Sequence, residues 1–307
     1  MPVKRTRLES IDVVRGVIMI VMALDHVRDF FGVPGANPTD PARATAALFF
    51  TRWVTHICAP VFFLLTGTGA SLMLNRRSVR EVSRFLLTRG VWLIVLELTI
   101  VRCLGFQFNV DYRVTMLLVL WALGWSMIAL SALVFAPAAM VAAFGVALVA
   151  GHNLFDAVRS SNALWTVLHR PGIVWHDAGH VVFVSYPLVP WIGVTAIGFA
   201  LGRVYRWPDQ RRRRWLTRTG IAMGVAFIAV RAINTYGDPA RWTAQDSTAR
   251  TLLSFLNATK YPPSLVFLLM TLGPALLALR GVTDRRHGFC ARLSSSAACR
   301  CSTSCCI

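Results

Sequence analysis

Charge is scarce in this chain. Only 15% of its 307 residues are Asp, Glu, Lys or Arg, where a soluble domain carries about a quarter. The alternation of apolar and polar residues that marks a membrane β-barrel is missing, which excludes that architecture. There is no phosphate loop, dinucleotide fingerprint or Ser-His-Asp motif, so nothing points to those nucleotide-binding or hydrolase sites. The basic start (Lys4, Arg5, Arg7) is followed by no small-residue cleavage site, and the next segment carries Arg15, Asp25 and His26. The first apolar segment is therefore expected to stay in the protein as an anchor.

What is abundant is apolar residue, 55% of the chain, with a mean hydropathy of +0.56. It comes in blocks long enough to cross a bilayer, which takes about 20 residues per helix. The expectation is an all-α polytopic bundle of roughly eight transmembrane spans, at 11–31, 49–74, 84–106, 114–133, 135–155, 181–205, 215–236 and 263–282. Residues 1–282 would form one membrane domain.

The formal charge of +18 suggests nucleic acid at first sight. Its distribution excludes that partner in favour of the lipid bilayer. Arg76, Arg77, Arg80 and Arg84 follow the second span, Arg203, Arg206 and Arg211 to Arg214 the sixth, and Arg280, Arg285 and Arg286 the eighth. All fall on the side of the basic N-terminus, as a cytoplasmic N-terminus in a cell's inner (plasma) membrane requires. Opposite lie three longer connections, 32–48, 151–180 and 237–262, of the kind that cap binding sites.

The end of the chain, 283–307, reads differently. Five of the seven cysteines (Cys290, Cys299, Cys301, Cys305, Cys306) gather there without regular ligand spacing, so no metal is expected. A one-nucleotide shift of the codons for 294–307 yields an apolar sequence like the start of another membrane helix. The tail is therefore read as an irregular Cys/Ser-rich segment from a shifted frame.

Ionisable residues inside spans are costly and so point to function. Arg15 and His26 are eleven positions apart, about three helical turns or about 16 Å along one face, and Asp29 lies near the same stripe. His26 titrates near neutral pH and can take a proton from a hydroxyl or amine, with Asp25 or Asp29 to orient it. The rival reading is structural: these charges pair with Arg28, Arg52 or Arg102 to hold helices together. Arg52 and His56 share a face in the second span, and Pro60 is expected to bend it. Gly67, Gly69 and Ser71 read as close-packing residues. Glu97, Arg102, Arg231 and Asn234 lie at similar outer depth. Three function classes fit these charges: an enzyme, a proton-coupled transporter, or a haem protein using His26 and His56 as axial ligands.

Four marks are more specific: Arg7-Leu8-Glu9-Ser10-Ile11-Asp12-Val13-Val14-Arg15-Gly16, Asp25-His26, Ala59-Pro60-Val61-Phe62 and Thr259-Lys260-Tyr261-Pro262-Pro263-Ser264. With them, the chain to about Arg280 resembles the bacterial branch of the heparan-alpha-glucosaminide N-acetyltransferase-like membrane proteins. The resemblance implies a membrane acyltransferase. It would take acetyl or a similar acyl group from acetyl-CoA, the donor substrate, to a hydroxyl or amine of a carbohydrate-type acceptor. It implies His26, Asp25 and Arg15 as catalytic residues, with Arg15 on the donor side. Asp29, His56, Arg102, Asn234 and Lys260 would line the substrate site. In the lysosomal member the active-site histidine lies in the loop after the first span. The matching loop here, 32–47, holds none, so His26 or His56 would take that part. A homo-oligomer is left open.

Overall fold

Backbone groups in lipid can satisfy each other only within regular structure, and the apolar blocks fold accordingly into helices. The computed structural model describes residues 9–32, 38–40, 44–106 and 110–295, with side chains up to 281. Lys4, Arg5, Arg7 and the cysteine-rich end from 296 lie outside the described residues, as do the side chains of 282–295.

In chain order the elements are α1 (Glu9–Phe31), α2 (Ala46–Thr55), α3 (Cys58–Met73), α4 (Val79–Leu96), a π-helical turn (Glu97–Phe106), β1 (Val114–Leu117), α5 (Val119–Leu133) and α6 (Ala138–Gly151). A short 3-10 turn (His152–Phe155) leads to α7 (Ala163–Leu168), β2 (Gly172–Asp177), β3 (His180–Val184), α8 (Leu188–Val204), α9 (Asp209–Ile233), α10 (Thr248–Leu256) and α11 (Leu265–Ser295).

Local chemistry sets several boundaries. Ser78 and Glu81 form a reciprocal capping box: the Glu81 N–H donates to Ser78 Oγ at 3.3 Å, and the Ser78 N–H to Glu81 Oε2 at 2.7 Å. The Ser78 N–H, together with the Ser78 hydroxyl, donates to Oε2 and so holds the exposed Glu81 carboxyl below its usual range. Pro60 has no N–H for the carbonyl of His56, four residues earlier. The helical ladder is interrupted there: α2 ends at Thr55, His56 and Ile57 form a turn that keeps right-handed helical φ/ψ, and α3 starts at Cys58.

Helices α3 and α8 form the centre and approach backbone to backbone. A methyl group added at Gly67 would lie 1.9 Å from the Thr195 carbonyl oxygen, and one at Gly198 2.1 Å from that of Leu64. Gly90–Gly124, Gly145–Gly193 and Gly220–Gly273 bring α4 to α5, α6 to α8 and α9 to α11 in the same way. Ser71 packs against Gly202, whereas Gly69, expected to share the role, faces open space.

The outer surface is apolar and the interior holds the polar groups, as a lipid solvent selects. Val13, Val17, Ile20 and Leu24 of α1 and Ile221, Val225 and Ile228 of α9 are exposed, while Thr68, Ser71, Glu97 and Arg231 are buried. Among the described residues, three helical stretches are long and apolar enough to cross a membrane: Ala46–Met73, Ala138–Phe155 and Asp209–Ile233. Val119–Leu133, Leu188–Val204 and Leu265–Gly281 are shorter apolar helices.

The all-α expectation omits a three-stranded sheet of order β1-β3-β2, in which β1 runs parallel and β2 antiparallel to β3. Strands β1 and β3 occupy the first residues of two expected spans, so α5 and α8 begin later than their apolar runs. The carboxylate of Glu97 accepts the N–H groups of Leu118 at 2.6 Å and Trp121 at 2.5 Å. It thereby closes the N-terminus of α5, where unpaired donors and the helix dipole favour an anion.

Candidate functional site

The end of α1 and the end of α2 are tied together through one carboxylate. Asp25 accepts from Arg52 Nη1 at both oxygens (2.8 and 2.7 Å), from Thr55 Oγ1 at 2.6 Å and from Arg28 Nη2 at 2.5 Å. Arg28 Nη2 also donates to Asp29 Oδ1 at 2.7 Å. Asp25 and Arg52 are only 13% and 17% exposed, so these charge-assisted bonds are largely screened from solvent. Asp25 thus organises two arginines and a hydroxyl. The structural pairing with Arg28 and Arg52, raised as a rival from sequence, is present at the same residue that was expected to serve catalysis.

His56 follows directly, placed in the turn before Pro60. Its buried ring packs on Phe267 of α11, with centroids 5.4 Å apart. Its Nδ1 has no hydrogen-bond partner among the described residues. Lys260, Arg52, Asp25 and Arg28 are the charges that act on it. His26 is half-buried on α1 beside Asp25.

The segment after α10 supplies the other wall. Arg231, at the end of α9, donates to the carbonyls of Phe255 (2.9 Å), Ala240 (2.8 Å), Ser254 (3.0 Å) and Asn257 (2.7 Å). Asp238 accepts from the Thr259 N–H and hydroxyl at 3.0 and 2.6 Å and from Ser264 Oγ at 3.0 Å. Between those two anchors Lys260 and Tyr261 are presented. Lys260 Nζ lies 5.2 Å from the centroid of the Tyr261 ring and within electrostatic reach of Asp25. The Tyr261 and Tyr186 hydroxyls are 3.3 Å apart. Tyr186 is backed by Trp191, which stacks on Phe63 in the bundle centre.

Of the residues expected from sequence, the fold brings Asp25, His56 and Lys260 together, with Asp29 joined through Arg28 and His26 alongside. Arg15 stands apart, exposed near the start of α1 and 3.7 Å from Asp12. Arg102 is held against β1: it donates to Thr115 Oγ1 at 2.7 Å and lies 3.5 Å over the Tyr112 ring. Asn234 caps α9, and its amide exchanges bonds with the Trp242 backbone at 2.9 and 3.1 Å. Neither amide nor guanidinium is directed at the Asp25 cluster by these bonds.

Thr55, Tyr186 and Tyr261 were not assigned roles from sequence. Tyr261 stood within a quoted motif, but no local pattern joins it to Tyr186, 75 residues earlier. Among the described residues no group of three or more His, Cys, Asp or Glu is placed to hold a metal.

The arrangement offers two histidines able to move a proton, fixed cations able to stabilise a developing oxyanion, and paired hydroxyls to orient a polar molecule. Among known families, the model for the heparan-alpha-glucosaminide N-acetyltransferase catalytic domain matches residues 7–236. Comparison with curated proteins and with solved structures finds no match.

Proposed function

Since the chain belongs to the heparan-alpha-glucosaminide N-acetyltransferase catalytic family, we propose that it moves an acetyl group from acetyl-CoA to a hydroxyl or amine of a sugar-type acceptor. The observation that carries this reading is the convergence of Asp25, Arg52, His56, Lys260 and the Tyr186–Tyr261 pair at one end of the bundle. In this scheme the chain crosses the inner membrane roughly eight times with its N-terminus in the cytoplasm. The acceptor enters from the opposite side.

His26 takes the acceptor proton as the acceptor oxygen or nitrogen attacks the thioester carbonyl carbon. The carbonyl electrons move onto oxygen, and Lys260 and Arg52 supply the positive charge that stabilises the oxyanion. Collapse breaks the C–S bond, and the departing thiolate takes the proton from His26. Asp25 holds Arg52 and Arg28 in place, because its oxygens are occupied by them. Tyr186 and Tyr261 orient the acceptor. Arg15, at the other end of α1, serves the donor side.

The family match gives no support to the transporter reading. The test is transfer of labelled acetyl from acetyl-CoA to a panel of amino sugars and neutral sugars by the full chain in nanodiscs, read by mass spectrometry. An acetylated sugar that requires His26 supports the proposal. Saturable acetyl-CoA binding with no product on any sugar hydroxyl or amine would overturn the acceptor class, and no donor binding would overturn the reaction.

A further inference from the structure

Helix α9 opens with a run of basic residues that do not share one fate. Arg211 lies 4.4 Å over the Trp207 ring. Arg212 is buried, pairs with Asp209 at 2.7 Å and lies over Tyr205. Arg213, Arg214 and Arg218 instead turn to a cavity of about 360 Å³, joined by Gln210 and Thr217 of α9 and by Arg280 of α11. Positions 210, 213, 214, 217 and 218 follow the i, i+3, i+4, i+7 spacing of a single helix face.

Arg280 reaches the cavity because α9 and α11 cross closely. A methyl at Gly220 would lie 2.9 Å from the Leu277 side chain and 3.0 Å from the Gly273 carbonyl oxygen. Four guanidinium groups therefore line one concavity, and like charges one turn apart, such as Arg214 and Arg218, repel. The basic side of a membrane protein explains positive charge there, but not its collection around a hollow drawn from two helices.

We propose that this cavity binds a ligand carrying clustered phosphates. Guanidinium forks match phosphate oxygens two bonds at a time, and the volume falls at the small end of ligand pockets, about 300–1,000 Å³. Along α11, Arg280 lies thirteen residues from Phe267, the partner of His56. That is about 20 Å of helix, so the cavity is a second site and not a corner of the first. The phosphates have two chemical sources: the adenosine bisphosphate end of a CoA-type nucleotide, or the headgroup of an anionic phospholipid. The nucleotide source rests on the acyl-CoA reading above; the lipid source does not.

The test uses the full chain in two kinds of nanodisc, phosphatidylcholine alone and phosphatidylcholine with cardiolipin. Adenosine 3′,5′-bisphosphate is titrated in the first and read as a thermal shift; retained cardiolipin is read in the second by native mass spectrometry. The variant is R214Q/R218Q, and R211Q, whose side chain lies on Trp207, is the control of equal kind. The expected result is that one probe binds saturably and loses at least tenfold in affinity in the double variant, with little change in R211Q. Loss confined to the bisphosphate assigns the nucleotide source, and loss confined to cardiolipin assigns the lipid. Binding of neither probe, equal loss in R211Q, or binding indifferent to R214Q/R218Q would overturn the cavity as a phosphate site. In that last case bisphosphate binding would leave the acyl-CoA reading standing while the cavity assignment fell.

Discussion

Arg231 and Asp238 face each other at 3.5 Å with their side chains 2% and 3% exposed. Each also anchors a different part of the same connection: Arg231 gathers the carbonyls at the end of α10, and Asp238 holds Thr259 and Ser264. The pair therefore fixes both ends of the segment that presents Lys260 and Tyr261.

Removing one partner of a buried ion pair leaves an uncompensated charge and costs roughly 3–5 kcal/mol. Asp238→Asn is expected to lower the thermal midpoint in nanodiscs and to reduce acetyl transfer, because Lys260 and Tyr261 lose their frame. Arg231→Lys keeps the charge but not the fork of donors, and should fall between wild type and Asp238→Asn. A melting curve unchanged in both variants would refute this role.

The Asp25–Arg52 contact makes a sharper prediction, because both partners can be changed together. A double-mutant cycle of Asp25→Asn and Arg52→Gln should return a coupling of roughly 0.5–3 kcal/mol in stability. Activity should be lost in either single variant. Additive effects on melting would mean that the two residues do not act as a pair in the folded protein.

Much of this was legible in one dimension. Apolar blocks gave the helices, and motifs within 7–236 such as Asp25-His26 gave the family, while Asp25, His56 and Lys260 of the cluster are candidates in the sequence. Arg102 and Asn234 are grouped with His56 in the sequence by their expected depth along a span. Depth does not fix direction around a bundle axis. Only the packing shows that Arg102 turns to Thr115 and Asn234 to Trp242. The sheet escaped for a related reason. β1 and β3 run almost without interruption into α5 and α8, and a short apolar strand cannot be separated by periodicity from the helix that follows.

Glycine contacts separate packing from mere composition. Gly67→Ala would drive a methyl into the Thr195 carbonyl, 1.9 Å away, whereas Gly69→Ala meets nothing within 4 Å. Overpacking of this kind costs roughly 1–3 kcal/mol. The first variant should melt markedly lower than wild type and the second at or near it, although the two positions are only two residues apart on α3. Equal melting of the two would mean that α3 and α8 do not pack at the distance described.

The two histidines are separated by their surroundings. His56 is 3% exposed with its ring against Phe267, while His26 is half-buried on α1. A general base contributes about 10²–10⁴-fold to rate. His26→Ala should therefore lower kcat by that order with the fold and donor binding intact, and KM for acetyl-CoA should move little. His56→Phe keeps a ring against Phe267 without a ring nitrogen, so it tests whether the unpartnered Nδ1 serves the reaction or the histidine serves only as packing. If transfer survives His26→Ala but is abolished in a well-folded His56→Phe protein, the proton acceptor is His56. The reaction then takes place at the His56 ring against Phe267, within electrostatic reach of Lys260, rather than at His26 on α1.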